Sequence, residues 1–309
     1  MARARRRRNP GRPGPAGFLA VDKPPGWTSH DVVNAARGWF GHRRIGHLGT
    51  LDPQATGVLP VAVREATKLI SYLEGSSKSY LGTVRFGVET DTLDGEGQVV
   101  ARFEGDLPEL AEVNEALTNF VGDIEQVPPM YSAVKQQGVP LHRRARRGEV
   151  VHREPKKVHV ERLEALSFDS PDLEIAVDCS EGTYVRTLAA DVGSRLGCGA
   201  YLSALRRTRS GPFDETQAWT VAELEKRAEE NRVDELLIPP SDVLGLPVFG
   251  AAPVAVRHIL HGADIAPGTS LRVSPGARVL VTDGGGRLLA LMELRSDRRL
   301  WPLRVLASQ

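Results

Sequence analysis

The chain has 309 residues, 41% of them apolar and 26% charged, and a formal net charge of +1. That length and composition suit one large globular domain plus a small one, or two of ordinary size, and exclude a wholly disordered or fibrous chain. No apolar run approaches the roughly 20 residues that span a bilayer, the basic N-terminus lacks the apolar stretch of a secretory signal, and Cys179 and Cys198 have neither C-x-x-C spacing nor histidine partners at zinc spacing, so a cytoplasmic protein with reduced thiols, no membrane contact and no metal is expected.

Residues 1–16 are rich in Arg, Pro and Gly and have little to bury, which predicts a disordered basic tail. Nonspecific attraction to phosphates and simple solubilisation both fit such a tail, and composition does not choose between them. Order is expected from Gly17, where GFLAVDK reads as a short buried strand closed by the turn Pro24–Pro25–Gly26. Thr28 caps a helix, Asp31 completes a capping box, and Val32, Ala35, Ala36 and Trp39 supply the apolar face. A glycine-rich loop, 46–57, leads into the strand VLPVAV at 58–63, and Ala66, Leu69, Ile70 and Leu73 then recur at helical spacing. Strands are predicted at 79–88 and 96–103 around an acidic turn at 91–95, and Val113, Ala116, Leu117 and Phe120 mark a further helix. Residues 126–157 are short of apolar residues and read as a surface arm or insertion. Strands follow at 158–168 and 173–179, then a helix at 183–196 and another from Thr220, boxed by Glu223. Pro239, Pro240 and Pro247 mark a boundary, beyond which ARVLVTD, RLLALMEL and WPLRVL read as short strands of a small β domain. The order of elements predicts an α+β catalytic domain with a β-barrel-like appendix.

Charge is segregated along the chain. Residues 89–125 hold eleven acids against Arg102 alone, whereas 135–157 hold eight Lys or Arg against Glu149 and Glu154. Such separation suits a protein with one face for an anionic partner and another that repels it.

The segment with most chemical content is RIGHLGTLDPQATGVLP, 44–60. Gly46, Gly49 and Gly57 permit sharp turns, and Pro53 stiffens the chain directly after Asp52 and biases Asp52 away from helix. A carboxylate on a stiff loop between elements is a candidate functional group.

This segment resembles the catalytic motif of the TruB family of tRNA pseudouridine synthases, GH-x-G-x-LDP-x-ATG-x-LP, at every fixed position of 46–60. VDKPPGWTS at 21–29, KSYLGTVRFGVETDT at 78–92, VPPMYSAVKQQGVPLHRRARRGE at 127–149, CSEGTYVRTLAADVG at 179–193 and LSALRR at 202–207 resemble further family motifs in the same order. Leu48 stands where relatives more often carry a small polar residue, and His142, Arg143 and Arg144 make the arm unusually basic.

The resemblance implies a pseudouridine synthase fold, with a mixed, mainly antiparallel central sheet flanked by helices, over 17–244. It also implies an RNA-gripping insertion at about 126–157 and a small PUA-like β domain at 245–309. The implied activity is conversion of uridine to pseudouridine at position 55 of the tRNA T loop, with no cofactor and no metal. Asp52 takes the role of nucleophile or charge stabiliser at C1′, whether through a covalent adduct or by helping to remove a 2′ proton. Arg186 matches the arginine that pairs with it, and Tyr80 the aromatic that stacks on the target base. His47 matches the residue that enters the T loop, and Tyr184 and Leu205 match pocket-lining residues. Lys135, Arg143, Arg144, Arg146 and Arg147 fall in the RNA-gripping insertion. The implied partner is the tRNA T arm, bound by a monomer without an obligate protein partner, as in the stand-alone bacterial branch.

Two other classes compete. A non-catalytic RNA-binding or RNA-folding protein would need only the basic blocks and the appendix. A nucleoside hydrolase would want two cooperating carboxylates. The catalytic loop offers one, and the other candidates lie in the acidic block at 89–125, which reads as surface.

Overall fold

The computed structural model describes residues 11–307 apart from 74, 133, 137, 146, 150 and 268–270. The chain runs through β1 (Gly17–Lys23), α1 (Ser29–Trp39), β2 (Ile45–His47), β3 (Thr56–Val63), a 3₁₀ stretch Arg64–Tyr72, β4 (Lys78–Phe86), the short pair β5 (Val88–Thr90) and β6 (Val99–Arg102), α2 (Leu110–Thr118) and β7 (Gly122–Gln126). The arm forms β8 (Lys135–Gln136), β9 (Val139–Pro140) and α3 (Leu141–Ala145). Next come β10 (Lys156–Asp169), β11 (Asp172–Cys179), α4 (Val185–Arg195), β12 (Ala200–Ser210), β13 (Phe213–Asp214), β14 (Ala218–Thr220), α5 (Val221–Glu229) and α6 (Pro240–Leu244). The C-terminal part holds β15 (Val248–Gly250), α7 (Pro253–Leu260), β16 (Arg278–Thr282), β17 (Leu288–Leu294) and β18 (Leu300–Val305).

The central sheet has the order β14-β1-β3-β12-β4-β11-β10-β7, with β2 added to β3 and β13 to β12. Among the described residues only its β1/β14 and β3/β12 pairs are parallel, so the sheet is mixed and mainly antiparallel, as the family resemblance implies. Both helix starts read from capping boxes, Thr28 with Asp31 and Thr220 with Glu223, form as expected, because each box closes within a single turn. Among the described residues, no helix is long and apolar enough to cross a membrane.

The strands at the site are buried on both faces. Leu19 and Val21 of β1 join Leu59, Val61 and Val63 of β3 in one core under α1 and α4. Phe18 and Ala20, alternating with them, join Val58, Ala62, Ala66 and Leu69 in a second core. That second core also contains Leu280, Leu288 and Leu291 of the small C-terminal sheet, β15-β16-β17-β18, and Leu306 just past it. Lys68 Nζ reinforces the packing by donating to the carbonyls of Val305 and Leu306. The small sheet is therefore packed against the back of the catalytic strands.

Four sequence expectations are corrected. Residues 64–72 form 3₁₀ turns rather than an α-helix, starting from Arg64 at φ +57°. Residues 45–47, which read largely as glycine-rich loop, pair with β3 as a strand. Residues 200–210, which stand out in the sequence only as a motif, form a full central strand. Residues 11–16, expected in the disordered tail, are docked. Arg12 donates to Asp234 at 2.9 Å, and the buried Arg64 donates to Pro15 O at 2.8 Å and to Asp234 at 2.7 Å. A guanidinium at the end of β3 thus supplies the partners that composition alone does not reveal. Residues 1–10 of the expected tail lie outside the described residues.

Candidate active site

The loop 48–55 is held by three neighbours. From below, the buried Lys23 donates to the carbonyls of Pro24, Trp27 and Pro53 at 3.0, 2.7 and 2.9 Å. Burial lowers its pKa to about 8, against opposition from the Asp52 charge. From α1, Ser29 Oγ accepts from Leu51 N at 2.8 Å and donates to Leu51 O at 3.1 Å. From β12, Arg207 donates to the carbonyls of Gly49 and Thr50. Ala55 N returns to Asp52 O at 3.1 Å and closes a turn around Pro53. Gly57, at φ +96°, lets β3 lie against β12, since a Cβ there would fall 2.2 Å from Arg207 O.

Asp52 thereby reaches Arg186 on the first turn of α4, at 3.3 Å from Oδ2 and 3.4 Å from Oδ1. The guanidinium is 5% exposed, whereas the Asp52 side chain keeps 37% of its surface. Asp52 is ringed by protein yet open on the side that faces a cavity. Burial pushes its pKa above the usual carboxylate value, Arg186 pulls it down, Asp94 raises it and Lys23 lowers it. The cavity has a volume of about 230 Å³ and is lined by Asp52, Tyr80, Tyr184, Arg186 and Leu205 together with Gly49, Lys78 and Leu202. Five candidates from four motifs thus meet at one place. Tyr80 comes from β4 and Leu205 from β12, neighbours in the sheet, while Tyr184 lies just before α4 with Arg186 5.9 Å over its ring.

His47 lies apart from these five. It ends β2, opposite Val61, and lines an adjacent cavity of about 180 Å³ that shares Gly49, Lys78 and Glu181 with the first. Burial first, then the Arg207 charge, lowers its pKa.

Two features are missed by sequence reasoning. The first is Asp94. It belongs to the acidic block that reads as surface, yet its side chain is 3% exposed and it pairs with Arg186 Nη1 at 3.3 Å. Thr92 Oγ1 and Glu96 N hold its Oδ1 at 2.5 and 3.1 Å, and the loop is pinned by Gly95 N to Leu202 O. Two carboxylates therefore share one arginine. The signal in the sequence is the run Thr90–Asp91–Thr92 beside Asp94, dense in groups that hydrogen-bond their own loop.

The second is the root of the arm. Residues 126–157 are expected on the surface, but Gln126 is buried and bonds both ways to the Tyr184 backbone, at 3.0 and 3.3 Å. Tyr131 O accepts from Arg186 Nη2 at 2.6 Å. The arm grows out of the wall of the cavity. Farther out, Arg143 and Arg147 are exposed and Arg144 is half-buried beside Gln136 O. Arg146 and the side chain of Lys135 lie outside the described residues.

Chemically, this is an ionisable carboxylate with a fixed cation and two aromatic side chains around one cavity. Among the described residues, no group of three or more His, Cys, Asp or Glu is placed to hold a metal ion.

The family model for the TruB family pseudouridylate synthase N-terminal domain matches residues 37–185, and that for the tRNA pseudouridylate synthase B C-terminal domain matches 186–244. A relative from Geobacter sulfurreducens named tRNA pseudouridine synthase B is 45% identical over 282 residues, covering 86% of this chain and 93% of its own. One of the same name from Pseudomonas aeruginosa is 41% identical over 297 residues, covering 95% and 96%. Among solved structures, a Cbf5-Nop10-Gar1 complex aligns with TM-score 0.66 at 29% identity, over 94% of this chain and 85% of that one. An H/ACA RNP bound to a substrate RNA containing 2′-deoxyuridine aligns with TM-score 0.65 at 27% identity, over 94% and 85%. With family models spanning both sides of the Asp52–Arg186 pair and relatives aligned over nearly their whole length, the chain belongs to the TruB family of pseudouridylate synthases.

Proposed function

We propose that the protein converts uridine to pseudouridine in tRNA, at position 55 of the T loop, with Asp52 as the carboxylate that acts at C1′. The observation that carries this reading is Asp52 fixed on Arg186 at the open face of a cavity lined by Tyr80, Tyr184 and Leu205. The reaction breaks the N1–C1′ bond, turns the uracil and joins C5 to C1′. The C5 proton departs and N1 gains one, so atoms and electrons balance within the nucleotide and no oxidant is needed. A charged Asp52 meets the electron-poor C1′ as the base leaves, and Arg186 keeps that charge in a site whose burial works against it.

The base must leave its stack, at a cost on the order of a few kcal/mol. Stacking on Tyr80 returns ~1–3 kcal/mol, and His47, which lines the adjacent cavity, takes the vacated place in the loop. The arm holds the T arm through its arginines, and the C-terminal sheet serves as a PUA-like RNA-binding unit. The purified chain alone, in EDTA, is expected to convert one uridine of an unmodified tRNA transcript, mapped to the T loop. An absolute requirement for a divalent ion in the chemical step would contradict this, and a modified uridine elsewhere would move the site assignment.

The arm makes a separate prediction. Reversing Arg143, Arg144 and Arg147 to Glu is expected to weaken tRNA binding strongly at low salt. The slope of log affinity against log salt should flatten by about 0.7 to 0.9 for every phosphate that is no longer neutralised. Single-turnover rates at saturating RNA should change much less, because the arm holds substrate while the cavity does the chemistry. Unchanged binding and slope across a salt series would remove the arm from the RNA interface.

A further inference from the structure

Beneath the Asp52 loop lies a buried cation to which the chemistry at C1′ gives no role. Arg207 is 0% exposed. Its guanidinium donates to neutral carbonyls: Nε to Val58 O at 2.7 Å, Nη2 to Gly49 O at 3.3 Å and Nη1 to Thr50 O at 3.5 Å. Among the described residues no carboxylate lies within ion-pair distance of it. Across β12 and β4 its register partner is Tyr80, so the two side chains are neighbours on one face of the sheet. Tyr80, Gly49 and Thr50 all line the cavity that Asp52 faces.

Burying a guanidinium without an adjacent carboxylate is costly, and an apolar side chain would join β3 to β12 more cheaply. The fork of five N–H donors does what no apolar group can, since it reaches several acceptors in fixed directions at once. All three acceptors belong to the Asp52 loop or the strand it feeds, and the neighbour across the strands is the aromatic on the opposite wall. We propose that Arg207 is a positioning residue, which ties the Gly49 and Thr50 carbonyls to one rigid fork beside Tyr80 and so sets the gap between the Tyr80 ring and the Asp52 carboxylate. This rests on the pseudouridine reading, in which the base occupies that gap. The buried charge also acts on the tyrosine itself. Burial raises the Tyr80 pKa and Arg207 draws it back.

The test is a double-mutant cycle on the full chain, read as single-turnover pseudouridine formation and as tRNA dissociation constant. The variants are Arg207→Met, Arg207→Lys, Tyr80→Phe and the Met/Phe double. Arg207→Met is expected to slow turnover at saturating RNA on the order of 10²-fold while the dissociation constant stays within about 3-fold, as for a small misplacement of reacting groups. Arg207→Lys keeps the charge without the fork and should recover only part of the rate. In the Tyr80→Phe background, Arg207→Met should cost clearly less than in wild type, because the hydroxyl whose place relative to Asp52 it sets is gone. Fully multiplicative losses, a wild-type rate for Arg207→Lys, or a loss in binding with normal turnover would each overturn the proposal. If Arg207→Met does not fold, the same cycle run with Arg207→Lys decides. A wild-type chain that forms no pseudouridine would sink the reading of the reaction and this inference with it. An active wild type with multiplicative losses would sink only the role of Arg207.

Discussion

Asp52→Asn is expected to abolish pseudouridine formation, with a loss on the order of 10⁴-fold or more, while tRNA binding and the fold persist. The substitution is nearly isosteric and keeps Pro53 and the backbone bonds that hold the loop. It removes the negative charge that faces the cavity, which neither Tyr80 nor Tyr184 can replace. Asp94 cannot stand in, because its carboxylate is buried on the far nitrogen of Arg186. The wild-type enzyme should also show an acid limb set by the same group. Burial raises the folded-state pKa of Asp52 above 3.8, so the active carboxylate is lost as pH falls through a value higher than that of an ordinary aspartate. Single-turnover rates across a pH series on the T-arm substrate check both points. A turnover that survives in Asp52→Asn would leave the protein an RNA-binding module in which another group does the chemistry.

The second large effect is expected at Asp94. Arg186 is shared between Asp52 at 3.3 Å and Asp94 at 3.3 Å, and it also donates to the carbonyls of Thr92 and Tyr131. With Asp94→Asn the guanidinium is without the charged partner that aims it. Turnover should fall on the order of 10²-fold, the usual cost of a small misplacement. The acid limb should move to lower pH at the same time, since Asp94 is a like charge that raises the Asp52 pKa. Lower turnover with the limb shifted down therefore identifies a positioning role. A limb that stays in place would mean that the two carboxylates do not communicate. Arg186→Met is the harsher change. It leaves two carboxylates without their shared cation, one of them deeply buried, and breaking such a pair from one side typically costs about 3–5 kcal/mol. Loss of stability should accompany its loss of activity, and thermal unfolding measures that directly.

The residues behind these expectations differ in how far the sequence reveals them. Local features can be read directly. The capping boxes at Thr28 and Thr220 form because their partners lie three residues apart. The apolar runs of β1 and β3, and the glycines around Asp52, likewise reflect properties that each residue carries with it. The order of motifs is enough to name the residues that meet at the cavity, because a resemblance transfers positions even when it does not explain what they touch. Segments whose conformation depends on distant partners are less legible. Ala66 and Leu69 fit an α-helical face and a 3₁₀ one equally, and the burial of Arg64 against residues 12–15 and Asp234 coincides with the tighter form. The same guanidinium orders residues 11–16.

Asp94 is the clearest case. In the sequence it is one acid among eleven in a run that looks solvated. Only the docking of its loop on β12 buries it and sets it beside an arginine 92 residues away. Hydrophobic period and turn chemistry are short-range properties, so the sequence by itself determined β1, most of β3, the two caps and the stiff loop that carries Asp52. Which charges are stripped of water together is decided by interactions that close long loops. The tertiary structure alone therefore decided that Asp94, Tyr131 O and Arg207 belong to the site.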